Sequence, residues 1–442
     1  MSSVSSRRPS LVVVLAVQAA VVVAASLAWT FSSAASRDGI RAQATGRPVF
    51  HEISVPRTEP LRISPLYDRP DLVSDEDLAA VLKQIQPRFR RKEMSPNFVE
   101  HALRVWGIHA TFQDPDVLPG TEMVEFLTDN RRYTDSWGGK TAPLLIDRAD
   151  GLAVRWNKEP GGSVHHDHWL ASLTEAGIPL TYEVFGPSLR RGMTIRNVLE
   201  EALRDFRLDE REAEWTAMAF GLWIAPETKA WTGGDGRRYS FDLIASRLMR
   251  GEKQIGVCVG THRVYSLAVL LRLDDEYKIF TGDTREQVLA HLAAVRDAIT
   301  HSQFPDGHWP SNWPEGEAAV KTPVDEPLYK QVIATGHHLE WMAIAPKELH
   351  VSEEHLRKAF AWVIRTTKEQ TPKEILERYT FFSHIGNAAA LWRSQHPATF
   401  WQAWESKHPY QAPEKAETET VAAPAPTAEP MASEVKPFAP LE

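Results

Sequence analysis

The stretch His301-Ser-Gln-Phe-Pro-Asp-Gly-His-Trp-Pro-Ser-Asn-Trp313, "HSQFPDGHWPSNW", decides how the rest of the chain is read. It follows a long helical pattern and sets Gln303, Gly307 and Trp309 in a proline-bearing loop. A Gln amide can satisfy backbone groups left open at a helix end. Gly permits a tight turn, and an indole covers apolar surface while offering one N–H. The spacing predicts a structural clasp between helices.

Helical rhythm surrounds this loop. Ser74 caps a helix at "DEDLAAVLKQIQ", and Ser95 with Pro96 opens another. Thr194 caps a face of Ile195, Val198, Leu199, Ala202, Leu203 and Phe206. Asp209 with Glu212 reads as a capping box for a helix bearing Trp215, Met218, Ala219 and Leu222, and Thr284 with Gln287 repeats the device. Two segments, "VCVGTHRVYSLAVLLRL" and "QVIATGHHLEWMAIA", are apolar nearly all round, as helices enclosed by other elements are. Amphipathic helices alternating with enclosed ones predict a mainly α protein, an α/α toroid with an inner ring inside an outer one. "PLLIDRADGLAVRW" reads as a small hairpin around Ala149-Asp150-Gly151, and "WTGGDGRRYSF" as a turn between helices.

The ends are different. An apolar run from Leu11 to Phe31 follows Arg7 and Arg8. At 1.5 Å per residue it can cross a hydrocarbon core of ~30 Å. It is longer than the ~7–15 apolar residues of a cleaved signal, so a single-pass signal-anchor is expected, with a signal cleaved at the small residues Ser32 and Ala34 as the alternative. The positive-inside bias then puts residues 1–10 in the cytoplasm and the bulk of the chain outside it. Residues 32–70 read as a linker, 71–180 as a helical but irregular N-terminal subdomain, 181–408 as the toroid, and 409–442 as a disordered acidic Pro/Ala-rich tail.

With 442 residues and a formal charge of −8, the chain lacks the basic face of a nucleic-acid binder. "RFRRK" at Arg88–Lys92 reads as a solvated helix end. One cysteine, Cys258, rules out a disulfide framework and any Cys-x-x-Cys zinc knuckle. The partners expected are the membrane, through the N-terminal helix, and an unidentified small molecule or protein.

The clasp loop resembles the Gln-x-x-x-Gly-x-Trp repeat of squalene cyclases and related terpenoid-cyclase and protein-prenyltransferase toroids. That resemblance implies that Gln303 caps a helix end, that Trp309 stacks on it, and that the loop serves stability rather than catalysis. The Asp-x-Asp-Asp acid motif of the cyclases is absent, and the prenyltransferase zinc set cannot be mapped whole, so neither chemistry carries over. Gly336-His337-His338-Leu339-Glu340-Trp341 also resembles the Gly-His-x-x-Glu-Trp segment of N-acylglucosamine 2-epimerase-type α/α barrels. That likeness implies an acid/base His337 supported by Glu340.

Candidate chemistry gathers on the two enclosed segments. Cys258 and His262, at i and i+4, would share a helix face that Tyr265 continues. They read as a small buried Cys beside a core His, as two ligands of a single divalent metal such as zinc with His337 or His338 as a third, or as a nucleophile and its base. His337 and Glu340, at i and i+3, form either an oriented base or a satisfied core pair. The candidate catalytic residues are thus His337, Glu340 and His262, and the candidate binding residues Cys258, Tyr265, His338 and Trp341. His165, His166 and His168 in "SVHHDHW" read as a surface helix start capped by Ser163 or, with His165 and His168 at i and i+3, as metal ligands, and Asp306, Glu212 and Glu214 as solvated carboxylates or as the carboxylates of a glycosidase-like mechanism. Two functions are expected from this: acid/base or metal-assisted catalysis on a carbohydrate or lipid-like substrate, or a non-catalytic binding scaffold at the membrane surface.

Overall fold

The computed structural model describes residues 10–32, 53–157, 159–210, 212–250 and 258–412, with residues 37 and 40. The cytoplasmic N-terminus and the disordered tail expected from the sequence lie almost wholly outside these residues. Among the described residues the protein is mainly helical, with two short antiparallel hairpins. Leu145–Asp147 pairs with Leu152–Val154 around the expected turn. Ala230–Thr232 pairs with Arg238–Ser240, so "WTGGDGRRYSF" is a hairpin whose glycines form the turn, not a bare loop.

Leu11–Phe31 is one helix with no buried residue, long and apolar enough to cross a membrane. The caps at Ser74 and Thr194 form as expected. Asp209 does not start a helix: the next one begins at Glu214, behind Ala213.

Six helices pack in order along the chain. Pro96–Trp106 contacts His168–Glu175, which contacts Glu214–Ile224, then Thr261–Tyr277, Leu328–Ile344 and Tyr379–Trp392; the last returns to Pro96–Trp106. Glu214–Ile224 is buried along its whole length, and Thr261–Tyr277 and Leu328–Ile344 over most of theirs. Other helices lie against this set: Gly120–Thr128 on the first, Phe241–Met249 and Thr284–Ser302 on Thr261–Tyr277, Glu353–Glu369 on Leu328–Ile344, and Asp75–Gln84 on Tyr379–Trp392. Two members of the cycle come from the stretch read as a separate N-terminal subdomain.

The clasp is closed. The Gln303 side-chain amide donates to the carbonyls of Gly307 and His355, both at 2.9 Å. That joins the end of Thr284–Ser302 to the start of Glu353–Glu369. Trp309 is fully buried, and its indole N–H returns to the Ile299 carbonyl at 2.7 Å. Gly307 has φ +111°, and a Cβ there would lie 2.2 Å from the Lys358 carbonyl oxygen, so only Gly fits.

Residues 53–70, read as linker, are instead a strap across helix ends. The N–H groups of Leu61, Leu66 and Arg69 donate to the carbonyls of Leu222, Ala343 and Trp392, and Arg57 reaches the Trp223 carbonyl. These are the last-turn acceptors a helix leaves open. A sequence without periodicity can still be ordered when its backbone caps other elements.

Candidate functional site

Each helix of the cycle carries one aromatic ring to a common centre. In chain order these are His101, His168, Trp215, His262, His337 and His384. Successive ring centroids lie 4.6, 4.2, 4.3, 4.5 and 3.7 Å apart, and His384 closes on His101 at 5.2 Å. His168, Trp215 and His262 sit in the first turns of their helices, which brings those turns together. All six residues are buried.

Two buried carboxylates hold the imidazoles from behind. Glu340 Oε2 accepts from His337 Nδ1 at 2.8 Å and lies 2.9 Å from His384 Nδ1. Its Oε1 accepts from Asn387 at 2.7 Å and from Arg104 Nη1 at 3.0 Å. Burial alone would raise the Glu340 pKa, but Arg104, His384 and the hydrogen bond from His337 outweigh it and hold the carboxyl well below its ordinary range. An ionised carboxylate only accepts, so His337 carries its proton on Nδ1 and presents a bare Nε2. Glu100 repeats the device with His168, whose Nδ1 lies 2.5 Å from Oε2.

Burial pushes the pKa values of His101, His168, His262 and His337 down, and that of His384 to about 3. These rings are therefore neutral at physiological pH. Nε2 of His168, His262, His337 and His384 has no hydrogen-bond partner among the described residues. His168 and His337 are held at Nδ1 by carboxylates, and a neutral imidazole so held and bare at Nε2 can accept a proton or bind a metal ion.

Beyond Glu340 the polar chain continues. Arg104 donates to Glu175 at 2.6 Å, and Glu175 accepts from the Tyr265 hydroxyl at 2.8 Å. Burial and the neighbouring Glu175 push the Tyr265 pKa well up, so it stays a donor. Arg104, Glu175, Tyr265 and Asn387 form the polar wall of a cavity of about 300 Å³, closed on its apolar side by Leu222 and Leu391 and crossed by strap residues 61–65.

Of the residues singled out in the sequence, His262, His337 and Glu340 meet at the centre. Cys258 is not on the helix with His262. It lies in the turn before Thr261–Tyr277, where its carbonyl accepts the Thr261 N–H, yet its sulfur still reaches the cluster. Tyr265 faces the cavity wall. His338 and Trp341 turn toward the clasp: Trp341 donates to His338 Nδ1 at 3.1 Å, and the His338 ring packs on Trp309 and Trp313. His168 is fully buried, not a surface cap, and Ser163 donates to Glu100 instead of capping a helix. Glu212 pairs with His165, and Glu214 is buried beside Arg263.

Sequence reasoning missed Glu100, His101, Arg104, Glu175, His384 and Asn387. The available signal was Glu-His and Arg inside the otherwise apolar "NFVEHALRVW", and His with Asn at i+3 in "FFSHIGNAAALW". Comparison with protein-family models, with curated proteins and with solved structures gives no match. The site is therefore read from its geometry.

Proposed function

We propose that the chain is a membrane-tethered enzyme: an α/α toroid, held outside the cytoplasm by its N-terminal helix, that works by imidazole chemistry on a small carbohydrate- or lipid-like substrate. The closed order of contacts among six helices supports the toroid, with Pro96–Trp106 and His168–Glu175 inside its inner ring. Arg7 and Arg8 ahead of the apolar helix support the orientation.

The observation that carries the catalytic reading is the set of buried Nε2 atoms on His168, His262, His337 and His384 that have no partner among the described residues. Each such group costs about 1–3 kcal/mol in a closed core. Apolar side chains would avoid that cost, and Glu100 and Glu340 would not be needed to orient the rings. Arg104 and Asn387 bond Glu340 and also line the mouth cavity, which brings a bound molecule within two residues of the cluster.

The competing reading is a non-catalytic scaffold. It is favoured by the strap across the mouth and by a cavity wall that contains none of Cys258, His262, His337 and Glu340. Thermal unfolding of the full chain in detergent, against mono- and disaccharides and short isoprenoid alcohols, separates the two. The enzyme reading expects one class to raise the wild-type midpoint and to lose its effect in N387A. No shift with any class supports the scaffold.

A further inference from the structure

We propose that Cys258, His262 and His337 form a three-ligand site for a zinc-class divalent transition metal, with the fourth position open to water or substrate. The inference rests on reading the central cluster as a functional site and names what that site takes. The Cys258 sulfur and one ring nitrogen each of His262 and His337 lie within 4.8 Å of one another. Tetrahedral ligation with bonds of ~2.0–2.3 Å needs separations of roughly 3.5 Å, so a small inward movement completes the set.

Two further observations point to a cation here. Nε2 of His262 and Nε2 of His337 are buried and without partners among the described residues. His337 is held through Nδ1 by Glu340, the carboxylate–imidazole arrangement that orients a metal ligand and fixes its tautomer.

Neighbouring groups fit less well. His337, Glu340 and His384 lie close together, but their contacts are hydrogen bonds, and both oxygens of Glu340 are engaged. His166 with Asp167 and Glu210 is an ion-pair cluster with a protonated imidazole, which has no lone pair to give. A thiolate with two imidazoles suits zinc and its neighbours better than magnesium or calcium. Three protein ligands are the pattern of catalytic rather than structural zinc. Binding converts the Cys258 thiol to thiolate, and its proton leaves to the buffer.

The test uses the full chain in detergent, stripped with chelator and titrated with Co²⁺. Saturation at one equivalent is expected, with a thiolate-to-metal absorption band and about one proton released per ion. C258S should lose the band and bind more weakly. H262A and H337A should lose stoichiometric binding, and E340Q should weaken it by about 10–100-fold. The surface variant H301A should match wild type. Circular dichroism of each variant without metal separates lost ligation from lost fold. Absence of saturable binding by wild type, or one-equivalent binding that folded C258S, H262A and H337A all retain, overturns the site. The metal-free stability of H262L reports on the cluster reading separately. If H262L is as stable as wild type while wild type binds no Co²⁺, the metal site alone fails.

Discussion

Arg104 and Glu340 form an ion pair with 3.0 Å between Nη1 and Oε1 and almost no solvent on either side chain. Burial would lower the Arg104 pKa, but Glu175 and Glu340 outweigh it and hold it well above its ordinary value. The pair links cavity and cluster, since Arg104 lines the cavity and Glu340 bonds the rings. Removing one partner of a buried pair strands the other, at a cost of about 3–5 kcal/mol. R104M is therefore expected to lose that much stability in denaturant unfolding. A loss under about 1 kcal/mol would show that Glu340 is not held ionised by this contact.

The clasp should behave as a structural device. W309A removes a fully buried indole and its bond to Ile299, and is expected to cost about 3–5 kcal/mol. Q303L removes the amide that donates to Gly307 and His355, at roughly 1–2 kcal/mol. Neither change should alter Co²⁺ binding by the folded chain. Calorimetry and metal titration of the same samples check both statements.

The strap gives a pH-dependent contribution. The hydrogen bond from Arg69 holds the Asp71 carboxyl at about 2, below its ordinary 3.8, with Arg357 adding to the effect. A depressed carboxylate contributes stability that is present above its unfolded pKa and lost as pH falls through the folded one. The midpoint difference between wild type and D71N should be constant above about pH 5, shrink as pH falls, and vanish only below about pH 2. Asp71 is substantially exposed, so screening keeps the effect below about 1 kcal/mol.

Hydrogen exchange tests the strap more directly. The Leu61 N–H donates to Leu222 at 3.0 Å and the Leu66 N–H to Ala343 at 3.1 Å. Arg272 pins the strap by donating to the backbone carbonyls of Ser64 and Ile344. R272A should accelerate exchange at Leu61 and Leu66 and leave the amides of Leu328–Ile344 protected. Unchanged rates at both positions would count against a continuous strap.

How much of this was legible depended on which forces were local. Helix type, the clasp and the first hairpin follow from periodicity, capping residues and turn chemistry, all visible within a few residues. The pair His337–Glu340 was legible because i and i+3 share a helix face. The rest of the centre was not, because His101, His168 and His384 reach it from helices far apart in sequence. A lone imidazole in an apolar helix carries no sign of what faces it. Cys258 was misplaced because the left-handed Gly260 delays the helix, which then starts at Thr261. The strap is not legible in the sequence because capping by backbone groups leaves no mark on side-chain pattern.

The decisive measurement is the unfolding midpoint of H262L against wild type, full chain in detergent with chelator present. His262 is buried, has no carboxylate partner and leaves Nε2 unpaired among the described residues. If the rings are kept for chemistry, replacing this one with an apolar side chain removes a cost, and the midpoint should stay level or rise. A loss of about 2–4 kcal/mol, the size of a core truncation, would mean that His262 is there to hold the fold together.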